Sequence, residues 1–307
     1  MTDRLNRRAF GKQLVVGFGA AAVTLGVRPA RGQSRKLRMG CTALIWGAVP
    51  RTPENLTTAV RDMARLGFHG FETFASIVAD GDARGTLGPL LAEYRIPLVS
   101  AYATVQLTDP SARKDNLAQL IQWARALRKH GGRFIVLAPN GVKREAYSFA
   151  EHRANIVAGL NDYAKAMNDE GLGAGLHQHT NTAIESRDET YAVMEAVDTR
   201  HVKFAPDVGQ LQKGGADAAK VVKDFLPITV HMHLKDYKGW EHYAGYCPLG
   251  QGTVDLEAIL NMVEGANPDA NIMHELDGSQ GAPYTPFETA VMGKKFLQKL
   301  GYTFAAS

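Results

Sequence analysis

Residues Ile228 to Asp236 read ITVHMHLKD, an apolar run in which His231, His233 and Lys235 fall at every second position. Side chains alternate across a β-strand, so these three share one face. A stretch of helical period follows at Asp255 to Gly265, and the same alternation of apolar run and helical stretch recurs from Lys36 onward. The other strand candidates are Leu37 to Trp46, Gly70 to Phe74, Ile96 to Tyr102, Arg133 to Pro139, Leu172 to His179, His201 to Asp207 and Ala270 to Leu276. The other helical stretches are Pro53 to Leu66, Gly85 to Tyr94, Ser111 to His130, Ser148 to Glu170, Asp188 to Val197, Ala216 to Phe225 and Phe287 to Leu300. Eight βα units over about 270 residues predict an α/β fold, a closed (β/α)8 TIM barrel over residues 33–307. A doubly wound open sheet is the rival, but no GxGxxG follows the first strand. No low-complexity linker or composition break marks a second domain.

The first 32 residues are read apart from that fold. NRRAFGK (Asn6 to Lys12) sets Arg7 and Arg8 ahead of the apolar run Leu14 to Val27, and Ala30 to Gly32 supplies small residues for cleavage. With Phe10 and Lys12 also in place, this resembles a twin-arginine export signal and implies a periplasmic or otherwise exported protein; a plain N-terminal anchor is the alternative. The run falls short of the roughly 20 residues that span a bilayer, so no stable span is expected after cleavage. Residues 1–32 carry six basic residues and one acid, so their removal takes the formal charge from +4 to −1. That leaves no basic face for nucleic acid. Cys41 and Cys247 are expected as free thiols, though an oxidising compartment would permit one bridge.

In a barrel of this kind, chemistry gathers where strands end and βα loops begin. Glu72 ends strand two, His177 and His179 strand five, Asp207 strand six, His231, His233, Lys235 and Asp236 strand seven, and Glu275 strand eight. A lone buried His or Glu is ordinarily a hydrogen-bonded structural residue; several at one end of one barrel are a stronger sign. Asp207, His233 and Glu275, with His177 or His179, form an oxygen and nitrogen set suited to a divalent ion, Mn²⁺ first, with Mg²⁺, Co²⁺ and Zn²⁺ as alternatives. Dividing the roles gives His177 to the ion and His179 to proton relay. Glu72, Gln210, His231 and Trp240 are placed as substrate contacts, with a structural ion pair as the rival for Glu72 and core packing for Trp240. Lys235 either bonds a substrate hydroxyl or pairs with Asp236.

Six stretches together resemble the xylose-isomerase-like barrels, which include sugar isomerases, ketose 3-epimerases, inosose dehydratase and the endonuclease IV group. They are GFHGFE (Gly67 to Glu72), LHQHTNTAIES (Leu176 to Ser186), PDVGQ (Pro206 to Gln210), HMHLKD (His231 to Asp236), PLGQGTVD (Pro248 to Asp255) and HELDGS (His274 to Ser279). The resemblance implies a metal site of Asp207, His233 and Glu275, and a carboxylate near the substrate at Glu185. Two departures stand out: epimerases of the family carry Glu where this chain has His177 or His179, and His where it has Gln210.

A metal there can polarise a carbonyl and the adjacent hydroxyl, acidifying the C–H between them towards an enediolate. Glu275 is the first candidate base, and Glu185 the second. The expected function is a divalent-metal sugar isomerase or epimerase, with a dehydratase or lyase acting on the same enediolate as the alternative. The expected partner is an unphosphorylated sugar, keto-sugar or cyclitol, since no P-loop or arginine cluster would cradle phosphate; the sequence leaves room for a homo-oligomer. A non-catalytic carbohydrate-binding barrel ranks lower, and an endonuclease IV-like nuclease lower still, given the charge of −1.

Overall fold

The computed structural model describes residues 35–47, 53–278 and 281–306. The expected export signal, with Arg7, Arg8, Phe10 and Lys12, lies outside the described residues, as does Ser279. The chain begins with β1 (Arg38–Thr42), α1 (Pro53–Leu66), β2 (Phe71–Phe74), α2 (Ala75–Ala83), α3 (Leu87–Tyr94), β3 (Leu98–Val105) and α4 (Arg113–Lys129). It continues with β4 (Phe134–Pro139), α5 (Phe149–Asp169), β5 (Gly173–Leu176), α6 (Arg187–Met194), β6 (Val202–Phe204), α7 (Val208–Lys213) and α8 (Ala218–Asp224). Then come β7 (His231–Leu234), β8 (Asp236–Tyr237), β9 (Tyr246–Cys247), α9 (Leu256–Ala266), β10 (Asn271–His274) and α10 (Pro286–Lys299).

Eight strands form one sheet in the order β6-β5-β4-β3-β2-β1-β10-β7, every neighbour parallel. Between β6 and β7 the ring is joined by bridges at Phe204–Thr229 and Asp207–His233, with the His233 N–H donating to the Pro206 carbonyl at 2.9 Å. The predicted eight-stranded barrel is the observed fold. The short β8 and β9 pair antiparallel on its rim.

Two apolar layers follow from strand alternation. Residues such as Ile135, Leu137, Met232, Leu234 and Ile272 face the surrounding helices in one large cluster, while Phe134, Val136 and Ala205 form a small one of their own. His231 stacks on Phe134 with ring centroids 4.9 Å apart. Gly175 lets this inner layer close, since a Cβ there would stand 2.9 Å from the Phe134 ring and 3.0 Å from Ala205. Above that apolar floor the interior is polar, and this polar layer holds the site. Cys41 and Cys247 are both buried and free. No helix among the described residues is long and apolar enough to cross a membrane.

Several boundaries differ from the sequence reading, each for a local reason. The strand expected over Leu172 to His179 stops at Leu176. The His177 N–H still reaches across to the Leu137 carbonyl at 2.9 Å, but the His179 N–H bonds back to Ile184 at 3.0 Å, in a turn where Asn181 has φ +62°. The first strand yields at Thr42 to a 3₁₀ turn over Ala43–Trp46. The helix expected from Gly85 starts only at Leu87, because Gly85 itself sits at φ +68°. The short α2 and α7 were not expected.

Candidate active site

The residues at the carboxyl ends of the strands converge. Asp207 follows β6 and caps α7, its Oδ1 accepting the Gln210 N–H at 2.9 Å. That leaves Oδ2 turned towards the barrel axis side chains, 2.9 Å from Lys235 Nζ. His177 donates from Nδ1 to the Ala205 carbonyl at 3.0 Å, which fixes its tautomer and leaves Nε2 with a lone pair. His233 donates from Nε2 to Glu72 Oε1 at 2.6 Å, and its Nδ1 lies 3.1 Å from Glu275 Oε2.

One ligand atom from each of His177, Asp207 and His233 lies within 4.8 Å of the others, and all three residues are buried. Asp207 Oδ2 and His233 Nδ1 are close to charged neighbours, yet neither makes a hydrogen bond. Buried polar atoms ordinarily find partners. Two orphaned atoms beside the free lone pair of His177 and the carboxylate of Glu275 are what a divalent ion's ligands look like, so the donor set fits the ion. Charge agrees: Glu72, Asp207, Glu275 and Asp277 face the two cations His233 and Lys235. Burial, helped by the neighbouring His233, pushes the His177 pKa well below its ordinary value, so the ring is neutral, as a ligand must be. Burial works against the charge on His233, but Glu275 and Glu72 outweigh it and raise the pKa well above the ordinary value. An ion and a proton therefore compete for that ring.

Glu72 lines the cavity but is also committed to its neighbours. Burial opposes its ionisation, but His233 and His231 hold its carboxyl well below the usual range. Both oxygens are occupied, Oε1 by His233 and Oε2 by the Ser100 hydroxyl at 2.6 Å. His231 Nε2 also stands 3.0 Å from Oε2, at an angle that makes no hydrogen bond, on a side chain with no exposure at all. The substrate role expected for His231 gives way to a place in the barrel floor.

Lys235 does not pair with Asp236. Its Nζ meets Asp207 Oδ2 at 2.9 Å, Glu275 Oε1 at 2.8 Å and Asp277 Oδ2 at 2.8 Å. Asp236 points the other way and accepts the N–H groups of Tyr237, Gly250, Gly252 and Val254, shaping the GQGTV loop. A Cβ on Gly252 would lie 2.2 Å from Asp236 Oδ1. Gly252→Ala is therefore expected to cost about 1–3 kcal/mol in chemical denaturation by overpacking; an unchanged midpoint would remove this account of the loop.

The remaining candidates are placed as follows. His179 donates from Nδ1 to the Thr180 carbonyl and accepts at Nε2 from Gln210 Nε2, 2.7 Å away. Gln210 Oε1 in turn accepts from the Thr180 hydroxyl at 2.7 Å. His179 lines the cavity, whereas Gln210 stands behind it as an orienting amide. Glu185 accepts the Asn181 N–H and lies 3.6 Å from Arg144, outside the cavity wall, because the turn after β5 carries it away. Trp240 is also outside that wall, edge-on to His242 with Lys238 Nζ 3.9 Å from its ring centroid. The cavity, about 80 Å³, is walled by Glu72, Phe74, Tyr102, His177, His179, Glu275 and Asp277 among others. Asp277 was missed by sequence reasoning; its place two residues beyond Glu275 was the available signal.

A closed parallel barrel with a buried His, Asp and Glu cluster at its carboxyl end defines the class of barrels that hold a divalent ion beneath a small-molecule cavity. The chain belongs to the xylose isomerase-like TIM barrel family, whose profile matches residues 60–300. An inosose dehydratase of Clostridium botulinum is 24% identical, over 78% of this chain and 88% of the relative. The apo 3-keto-D-glucoside 4-epimerase of E. coli is 18% identical with a TM-score of 0.65, over 86% of this chain and 99% of the other. The IOLI protein with a bound zinc atom is 14% identical with a TM-score of 0.70, over 88% of this chain and 100% of the other.

Proposed function

We propose that the protein is a divalent-metal enzyme that removes the proton beside a carbonyl in an unphosphorylated sugar, keto-sugar or cyclitol and returns it, as isomerases and epimerases do. The observation that carries this reading is the convergence of His177, Asp207, His233 and Glu275, with Asp207 Oδ2 and His233 Nδ1 buried and without hydrogen bonds. The bound ion, which we take as Mn²⁺, would supply Lewis acidity to the carbonyl and neighbouring hydroxyl. Glu275, 5% exposed on the cavity wall, takes the proton. Burial opposes its charge, but His233 and Lys235 hold its carboxyl well below the usual range, so it is ionised at neutral pH. Glu72 orients His233, Gln210 orients His179, and Lys235 keeps Asp207, Glu275 and Asp277 in place.

A second reading, elimination by a dehydratase, is favoured by His177. Where a carboxylate would offer a second base, this chain has a neutral imidazole held to Ala205. The inosose dehydratase relative supports the same branch. Incubation with keto-sugars and cyclitol ketones in D2O tests both. Deuterium gained on an intact skeleton supports isomerase or epimerase chemistry, a new enone absorbance supports elimination, and neither outcome over the full substrate set sinks the proposal.

Removal of the ion by a chelator is expected to lower the melting midpoint and abolish exchange. Mn²⁺ at a hundredfold above its dissociation constant should restore about 2.7 kcal/mol. Identical melting and activity with and without chelator would contradict a metal site. Export by the twin-arginine route is part of the same proposal: the Arg7→Lys, Arg8→Lys double variant is expected to stay in the cytoplasm, and unimpaired export on fractionation would refute it.

A further inference from the structure

β1 ends at Thr42, where the chain bends into the 3₁₀ turn Ala43–Trp46. A threonine at the head of a helical turn ordinarily turns its hydroxyl back to cap a backbone N–H, but this side chain makes no capping bond. The residue is 2% exposed, and its Oγ1 is buried without a hydrogen bond of any kind. A buried hydroxyl left unsatisfied is costly, and folded proteins ordinarily give such a group a partner. Other buried polar atoms among the described residues are orphaned too, yet Thr42 Oγ1 is the one on the wall of the main cavity. Its level in the barrel is also telling. Thr42 pairs with Glu72 of β2 on one side, and the register of Cys41 with His274, carried one residue on, sets it beside Glu275 on the other. Both flanking carboxylates have protein partners: Glu72 bonds His233 and Ser100, and Glu275 meets Lys235. The hydroxyl between them has none, and it stands level with the proposed base.

We infer that Thr42 is a specificity residue: its hydroxyl bonds one hydroxyl of the bound sugar or cyclitol and so turns the carbon beside it towards Glu275. This rests on the proposed reading of the main cavity. A threonine hydroxyl suits the task because it both donates and accepts, so it can meet a substrate hydroxyl in either sense. Burial makes the contact selective, since a ligand without the matching hydroxyl leaves Oγ1 unpaired in a site that excludes water.

Titration calorimetry with the metal-loaded protein tests this, using a ketohexose, a cyclitol ketone and monodeoxy analogues of each that keep the carbonyl. Thr42→Val keeps the shape of the side chain and removes the hydroxyl. It is expected to weaken binding of the better parent compound about 10-fold, while Thr42→Ser stays within about threefold of the wild type. One monodeoxy analogue should bind the wild type and Thr42→Val equally, which identifies the hydroxyl that Thr42 meets. Without ligand, Thr42→Val should melt no lower than the wild type, because no bond inside the protein goes with the hydroxyl. Parent affinities within about twofold in the wild type and Thr42→Val overturn the inference. So does a loss shared equally by every analogue, or a clear fall in the melting midpoint of Thr42→Val, which would reveal a partner inside the protein. Deuterium exchange into the same compounds keeps the two readings separate. Exchange by the wild type with no loss of affinity in Thr42→Val overturns the role of Thr42 alone; weakened binding in Thr42→Val without exchange on any compound overturns the proposed reaction alone. Failure of every compound to bind the wild type overturns both.

Discussion

The Lys235→Met variant is expected to lose about 3–5 kcal/mol of stability in chemical denaturation, because removing one partner from a buried ionic cluster strands the others. Lys235 has no exposed surface, and its ammonium meets three carboxylates between 2.8 and 2.9 Å. Burial disfavours its charge, yet Asp207, Asp277 and Glu275 raise its pKa well above the ordinary value, so the proton stays on throughout the neutral range. Methionine matches the stem in length and apolar character, which confines the loss to the charge. Divalent ion should then shift the melting midpoint of the variant further than that of the wild type, since it supplies positive charge to two of the same acids. Asp277→Asn should cost far less, because that side chain is 28% exposed and screened by water. A Lys235→Met loss below about 1 kcal/mol would mean that the cluster holds itself together without the lysine.

Glu275→Gln is expected to slow solvent deuterium exchange by about 10²- to 10⁴-fold, the range typical of a lost general base. The amide keeps the shape and can still accept from Lys235, so the fold should survive. Two causes of inactivity are separable by measuring bound metal. If Glu275 is mainly the base, the variant keeps ion and loses exchange; if it is mainly a ligand, ion content falls in step with activity. Exchange within threefold of the wild type at full metal occupancy would transfer the base role away from Glu275, and Asp277 would be the next carboxylate on the cavity wall to test.

Strand alternation made much of this site legible. His231, His233 and Lys235 fall on the inner face of β7 as the ITVHMHLKD pattern requires, and all three are fully buried. The pattern could say that they point inward; it could not say what they meet. Pairing Lys235 with its neighbour Asp236 fails because adjacent strand residues face opposite ways, and its three carboxylate partners come from two other chain segments, the ends of β6 and β10. His177 and His179 look equivalent by alternation only while the strand continues. It stops at Leu176, and His177, still bonded across to Leu137, is the one that joins Asp207 and His233, while His179 reaches the cavity from the turn. Glu185 and Trp240 were misplaced for the same reason, since loops obey no period and their side chains go where turns send them. The helix α2 escaped because ASIVADGDA is short and carries Gly81 within a weak periodic pattern.

The join between β6 and β7 has a bearing on how the molecule holds its ring. Neighbouring strands elsewhere share at least two residues in consecutive register, whereas this seam has, among the described residues, only isolated bridges at Phe204–Thr229 and Asp207–His233, and the second consists of two of the metal-type ligands themselves. An ion bound there would act as a clasp across the last gap to close, placing its binding energy at the least secured edge. The amide hydrogen of His233, whose carbonyl partner Pro206 lies across that gap, should then exchange with solvent far more slowly once the ion is in place, while those of the β3–β4 ladder barely change.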